Sequence, residues 1–214
     1  MYKKKPFLIV FEGVEGCGKS FQSKKLLNNL KKKRIPALLT REPGGTKSAE
    51  LIRNLILKDY FNHDSKEKFD KYTDTLLYLA ARNEHIKNKI DPALKKKSVV
   101  ICDRFTDSTL AYQVYGKNVN INFINNIHKF ILGKIKPNLT FVLKVSTETS
   151  KKRLKKRKTK NRYDNFAQNF YSKAQNSFLK IAKNKKNYFV LNSSKNDSNL
   201  EKKIFKIVSA YLKI

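Results

Sequence analysis

The chain is poor in acidic residues and in cysteine and has no long apolar run, and each shortage excludes something. Of its 214 residues, 17 are Asp or Glu against 48 Lys or Arg, for a formal net charge of +31. Cys17 and Cys102 are the whole cysteine complement, too few for a disulfide framework, so a reduced, cytoplasmic protein is expected. No apolar stretch approaches the roughly 18 residues of a membrane span. The early run Phe7-Leu8-Ile9-Val10 is cut short by Glu12 and Gly13, which makes it a poor secretory signal. No internal repeat, long linker or low-complexity tail interrupts the chain. With 40% hydrophobic residues, a single domain over 1–214 with its own core is expected.

What is abundant is positive charge, and that raises the question of an acidic partner. The excess is mainly lysine, accompanied by many asparagines, and it is spread over the whole chain, as an AT-rich genome would produce. Runs such as Lys31-Lys32-Lys33-Arg34 and Lys95-Lys96-Lys97 fall where helices end, where cations are mildly favoured. No nucleic-acid-binding motif is present and no aromatic cluster lies among the basic residues, so neither a specific nucleic acid nor a membrane is expected as partner. One concentrated stretch, RLKKRKTKNR at 153–162, stands apart.

Apolar patterning alternates along the chain. Continuous β-rich runs at 5–12, 37–39, 99–102, 139–145 and 188–191 predict buried parallel strands. Between them, helical spacing predicts helices at 19–33, 48–57, 73–90, 122–132, 147–157, 166–183 and 200–212. Strands separated by helices imply an α/β fold with a five-stranded parallel sheet covered on both faces.

The first strand runs directly into Gly13-Val14-Glu15-Gly16-Cys17-Gly18-Lys19-Ser20, and a helix follows. This is the P-loop spacing. Its glycines let backbone N–H groups approach phosphate oxygens, and the helix N-terminus faces the same anion. Lys19 can reach the β and γ phosphates, and the Ser20 hydroxyl can ligate Mg²⁺. The alternative is a glycine-rich turn before an ordinary helix. VVICDR at 99–104 puts Asp103 at a strand tip, either near that Mg²⁺ or as a cap for the next helix. In LLYLAAR at 76–82, Tyr78 and Arg82 share a helical face, which suits stacking on a base and pairing with an anion, although Tyr78 alone also suits a core.

Together FEGVEGCGKS, TREPGGT, LIRNLIL, LLYLAAR, VVICDRFTDSTLAYQ, KPNLTFVL and RYDN resemble the bacterial thymidylate kinases, a family of nucleoside monophosphate kinases, over about residues 7–192. The resemblance implies a three-layer P-loop kinase fold with a short helical lid near 147–165. It implies transfer of the γ-phosphate of ATP to dTMP with Mg²⁺, and a homodimer through helices near 48–57 and 73–90, with Leu51, Ile52, Leu55 and Leu79 as exposed positions. It also implies roles. Glu15 would meet the deoxyribose 3′-hydroxyl, Tyr78 would stack on thymine, and Arg82 and Thr109 would touch the base. Arg53 and Arg104 would hold the dTMP phosphate, with Ser108 beside them. Tyr112 would exclude a ribose 2′-hydroxyl, with Gln113 next to it, and Pro43 would line the base pocket. Arg153 would pack on adenine. Because Gly16 carries no charge, Arg157 and Arg162 are the candidates for a catalytic lid arginine, and Tyr163 and Asp164 match the lid's acidic end. Phe21 stands where most relatives have a threonine that contacts the ATP α-phosphate, so weaker ATP binding is expected. Two other readings stay open at this stage: a P-loop kinase for another monophosphate or a deoxynucleoside, and a basic nucleic-acid-binding ATPase.

Overall fold

The computed structural model describes residues 5–58, 68–156 and 168–214. Its elements are β1 (Phe7–Glu12), α1 (Lys19–Lys32), β2 (Ala37–Arg41), α2 (Lys47–Leu57), α3 (Lys71–His85), α4 (Asp91–Lys95), β3 (Val99–Asp103), α5 (Thr106–Thr109), α6 (Tyr115–Lys117), α7 (Ile121–Leu132), β4 (Leu139–Lys144), α8 (Thr147–Lys155), α9 (Gln168–Ala182), β5 (Tyr188–Asn192) and α10 (Ser198–Leu212). The five strands form one sheet in the order β2-β3-β1-β4-β5. Every pairing is parallel, with Phe7 opposite Val99 and Ile9 opposite Leu139. The α/β architecture is the one expected.

All six residues of β1 are buried, as a central strand covered on both faces requires. Its alternation divides the core. Phe7, Ile9 and Phe11 pack with Leu26 and Leu30 of α1 and with Ile204 and Val208 of α10. Leu8 and Val10 pack with Ile86, Ile90, Ile131 and Leu132 on the opposite side. The chain passes from β1 to β2, returns to β3 beside β1, and crosses to β4 on the other flank. The crevice outside the carboxyl end of β1 is therefore a topological switch point, where open parallel sheets bind ligands.

The structure departs from the expected elements in two places. The helix expected to end at 90, ahead of Pro92, continues to Lys95 through a π-helical turn, Ile86–Ile90. Proline lacks an N–H and its ring crowds the carbonyl four residues back, and the wider turn takes up the mismatch. A second π turn, Leu110–Val114, joins α5 to α6 and carries Tyr112 and Gln113, where no helix was expected. Leu79 was expected at an exposed face with Leu51 and Leu55. Instead Leu79 is 2% exposed and belongs to the core, whereas Leu51 is 70% exposed and Leu76 is 48% exposed.

Candidate active site

The P-loop leaves β1 at Gly13 and enters α1 at Lys19. Gly13 has φ +135°, and a Cβ there would lie 2.5 Å from the Leu143 carbonyl oxygen. Gly16 has φ +70°, and a Cβ there would lie 2.8 Å from the Ser150 carbonyl oxygen. Neither position admits a side chain, which keeps the loop backbone bare for an anion. Lys19 Nζ donates to the Gly13 and Val14 carbonyls at 2.9 and 2.8 Å, so the ammonium sits inside the loop it serves. Ser20 Oγ donates to Asp103 Oδ2 at 2.5 Å, joining the first turn of α1 to the tip of β3.

The DRFTDS segment folds back over this loop. Arg104 adopts φ +72° and donates to the Gly13 carbonyl at 2.9 Å, to Ser108 Oγ at 3.1 Å and to Glu15 Oε1 at 2.8 Å. Tyr112 donates its hydroxyl to Glu15 Oε2 at 2.7 Å. Burial opposes the charge on Glu15, but Arg104, Lys19 and the Tyr112 hydroxyl outweigh it and hold the carboxyl below its ordinary range. Beneath them, Glu12 closes β1. It accepts from the Phe105 and Ser108 N–H groups at 2.8 and 3.3 Å and from Ser108 Oγ at 2.6 Å. Burial, followed by the nearby Asp107 charge, pushes the Glu12 carboxyl up to about 8 against those donated bonds.

A second buried network centres on Arg82. Its Nε donates to Glu42 Oε2 at 2.8 Å and its Nη2 to the Phe105 carbonyl at 2.9 Å. Its Nη1 meets Thr109 Oγ1 and His128 Nε2, both at 2.7 Å. His85 bridges Glu42 Oε1 at 3.1 Å and Thr40 Oγ1 at 2.6 Å. Burial works against the Glu42 charge, yet Arg82 and His85 keep that carboxyl low. Glu42, His85 and Cys102 bring possible ligand atoms within 4.8 Å of one another. Both His85 nitrogens and the Glu42 carboxylate are already bonded, and burial with the neighbouring carboxylates pushes the Cys102 thiol up, so this trio reads as packing rather than a metal centre.

These networks open on one cavity of about 620 Å³. Among the predicted residues, Glu15, Gly16, Gly18, Lys19, Ser20, Pro43, Arg53, Tyr78, Arg82, Asp103, Arg104, Ser108, Thr109, Tyr112, Gln113 and Arg153 all line it. Gly13, Val14 and Cys17 do not; these loop residues are buried. Arg53 donates to the Pro43 carbonyl at 2.6 Å and tethers the TREPGGT loop to α2. Gln113 is buried, and its Nε2 has no partner among the described residues. Arg153 donates to the Gly16 carbonyl at 3.1 Å and to the Ser193 and Ser194 carbonyls at 3.0 and 2.6 Å, so α8 clamps the P-loop to the loop after β5. Phe21 is 48% exposed at the cavity wall, with Lys25 Nζ 5.6 Å from its ring centre. Arg157, Arg162, Tyr163 and Asp164 lie outside the described residues.

Several residues of the site, among them Glu12, Thr40, Arg41, Glu42, His85 and His128, were not singled out from sequence. Arg41, which lines the cavity, and Glu42 stand inside TREPGGT, so the motif itself held the signal. His128 had none, since a single histidine in the apolar-polar pattern of INFINNIHKFIL reads as an ordinary helix position.

A glycine loop of P-loop spacing with its lysine, a hydroxyl–carboxylate pair beside it, and an arginine-lined pocket at the same switch point are the parts a phosphotransferase requires. The thymidylate kinase family model matches residues 11–204. The chain is 41% identical over 176 residues to the thymidylate kinase of Wolbachia pipientis wMel, covering 81% of this chain and 84% of that one. It is 36% identical over 209 residues to the thymidylate kinase of Mycoplasma capricolum subsp. capricolum, covering 96% and 95%. The crystal structure of thymidylate kinase from Ehrlichia chaffeensis aligns with a TM-score of 0.74 at 28% identity, covering 95% of this chain and 99% of that one. The chain belongs to the thymidylate kinase family, and its class is that of ATP-dependent nucleoside monophosphate kinases.

Proposed function

We propose that this chain transfers the γ-phosphate of ATP to dTMP, giving dTDP and ADP. The observation that carries the reading is that one cavity is lined both by the P-loop with Lys19 and Arg153 and by Arg53, Tyr78, Arg82 and Gln113. Two anions held in one cavity can be brought in line, and phosphoryl transfer asks little more of a protein than that alignment and positive charge on the equatorial oxygens.

In this reading Gly16–Ser20 and the N-terminus of α1 receive the ATP phosphates, and Lys19 releases its loop carbonyls to contact the β and γ oxygens. Arg153 lies against adenine. Arg53 and Arg104 bind the dTMP phosphate, and Glu15, held by Arg104 and Tyr112, accepts the sugar 3′-hydroxyl. Tyr78 covers the thymine ring. The Gln113 amide, a buried donor with no partner among the described residues, and Arg82 meet the base carbonyls. The dTMP phosphate oxygen is itself the nucleophile, so no strong general base is required. Ser20 and Asp103 offer a hydroxyl and a carboxylate oxygen side by side, the hard oxygen donors that Mg²⁺ takes. Bound there with ATP, Mg²⁺ would neutralise charge on the phosphates. A homodimer through α2 and α3 fits the exposed Leu51, Leu55 and Leu76. The two free, buried cysteines suit a reducing cytoplasm, and no helix among the described residues is long and apolar enough to cross a membrane.

The test is a coupled ADP-release assay over a panel of nucleoside monophosphates. dTMP is expected to be the best acceptor; a clear preference for another monophosphate would replace it in this reading. A gel-shift titration with DNA across a salt series addresses the net charge of +31, since binding by charge alone collapses as salt rises.

The arginine that meets the transferring group has to come from 157 or 162 in this scheme, because Gly16 has no room for a side chain. Arg157→Ala or Arg162→Ala is expected to lower kcat at least about tenfold with a smaller change in KM for dTMP, below the roughly 10³–10⁵ of a sole arginine finger because neighbouring lysines substitute in part. Wild-type kcat in both single variants would remove this stretch from the mechanism.

A further inference from the structure

Arg82 is 3% exposed, and its five N–H groups can be followed one by one. Nε–H goes to Glu42, the two Nη1 hydrogens go to Thr109 Oγ1 and His128 Nε2, and one Nη2 hydrogen goes to the Phe105 carbonyl. The second Nη2 hydrogen has no partner among the described residues, and Arg82 lines the cavity. A planar guanidinium held at four points cannot rotate, so the direction of its fifth N–H is set by the other four. Three of those anchors come from segments already at the site. The fourth, His128, comes from α7, 46 residues further along the chain, and is not among the residues lining the cavity.

We infer that His128 is a positioning residue for dTMP: its Nε2 accepts from Arg82 Nη1 and so aims the remaining Arg82 N–H at the thymine base. This rests on the reading of Arg82 as a base contact. Arginine has no acceptor, so the bond requires the tautomer with the proton on Nδ1 and the lone pair on Nε2. The surroundings hold it there. Burial and the facing Arg82 charge push the His128 imidazole down to about 3, so it stays a neutral acceptor across physiological pH. Without it, one Nη1 hydrogen is left unmatched in a buried site. The guanidinium then turns to share Thr109 or the Phe105 carbonyl, and the fifth N–H turns with it.

His128→Leu keeps apolar bulk and removes the acceptor. His128→Gln returns an oxygen near the place of Nε2. In steady-state kinetics His128→Leu is expected to raise KM for dTMP about tenfold, the order of a lost hydrogen bond to a charged group. KM for ATP should stay within about twofold and His128→Gln should recover most of the loss, because the acceptor matters rather than the ring. A dTMP effect below about threefold, a parallel rise in both KM values, or no recovery with glutamine would each overturn the inference. If His128→Leu does not fold, His128→Asn against His128→Gln serves instead, since the asparagine oxygen falls one bond short. Gln near wild type with Asn impaired supports the inference, and equal behaviour of the two overturns it. Arg82→Lys separates the layers. A raised dTMP KM in Arg82→Lys with none in His128→Leu rejects the role of His128 alone. An unchanged KM in Arg82→Lys rejects the base contact, and the positioning role falls with it.

Discussion

Replacing Lys19 with alanine is expected to reduce kcat to below about a hundredth, the scale on which preorganised charge contacts to a transition state are lost. The side chain is nearly buried and bonded to the Gly13 and Val14 carbonyls, so its ammonium is held within the loop to which the proposed function assigns the ATP phosphates. In that proposal the contact would strengthen as charge moves onto the β–γ bridge, so its loss would fall on kcat more than on KM. The core clusters on both faces of β1 do not depend on the side chain. Circular dichroism and melting are therefore expected to show an intact fold with at most a modest fall in Tm. A folded variant that keeps more than about a tenth of wild-type turnover would contradict the assignment, because a tenfold change is only about 1.4 kcal/mol of transition-state stabilisation.

The second large effect concerns the sugar. The enzyme is expected to prefer dTMP over UMP by more than about a hundredfold in kcat/KM, with Tyr112 supplying most of the rejection of the 2′-hydroxyl. The ring is well placed for steric discrimination because it cannot yield. It stacks on Phe170 with centroids 5.9 Å apart and meets Phe178 edge-on at 5.9 Å, and the Arg104 guanidinium lies 5.3 Å from its centre. Its hydroxyl is tied to Glu15. Tyr112→Ala is expected to narrow the dTMP/UMP ratio at least about tenfold, within what one rigid contact controls. Tyr112→Phe, which keeps the ring and loses only the Glu15 bond, should hold the ratio near wild type while weakening both substrates. Equal kcat/KM for dTMP and UMP in the unmodified enzyme would end this account, and an unchanged ratio in Tyr112→Ala would move the discrimination to another residue.

Legibility differed by element. All five strands could be read from continuous apolar runs, but only β1, β3 and β4 are buried along nearly their whole length as expected; β2 and β5, at the sheet edges, are only partly buried because each has a neighbouring strand on one side alone. The P-loop was legible because its chemistry demands glycine, lysine and serine at set intervals. The two π turns were not legible. Their signal is a wider hydrogen-bond spacing, as at Ile86–Ile90 before Pro92, and side-chain periodicity does not report it over five residues. Leu79 departs from the expectation because the resemblance that implied a dimer face points to a whole helix and does not say which of its apolar positions the core takes.

The sequence by itself determined the α/β class, the phosphate loop and, through TREPGGT and DRFTDSTLAYQ, the family. Each is a local property, carried by residues within one element or one turn. Only the tertiary structure decided that Glu42, Thr109 and His128 converge on Arg82, at separations of 40, 27 and 46 residues. The same holds for Ser20 meeting Asp103 and for Arg153 clamping the P-loop to the loop after β5. Such partners are set by crossover connections that fold distant segments onto one end of the sheet. A buried guanidinium or carboxylate takes whatever acceptors and donors those crossovers deliver, and no periodicity along the chain encodes which ones arrive.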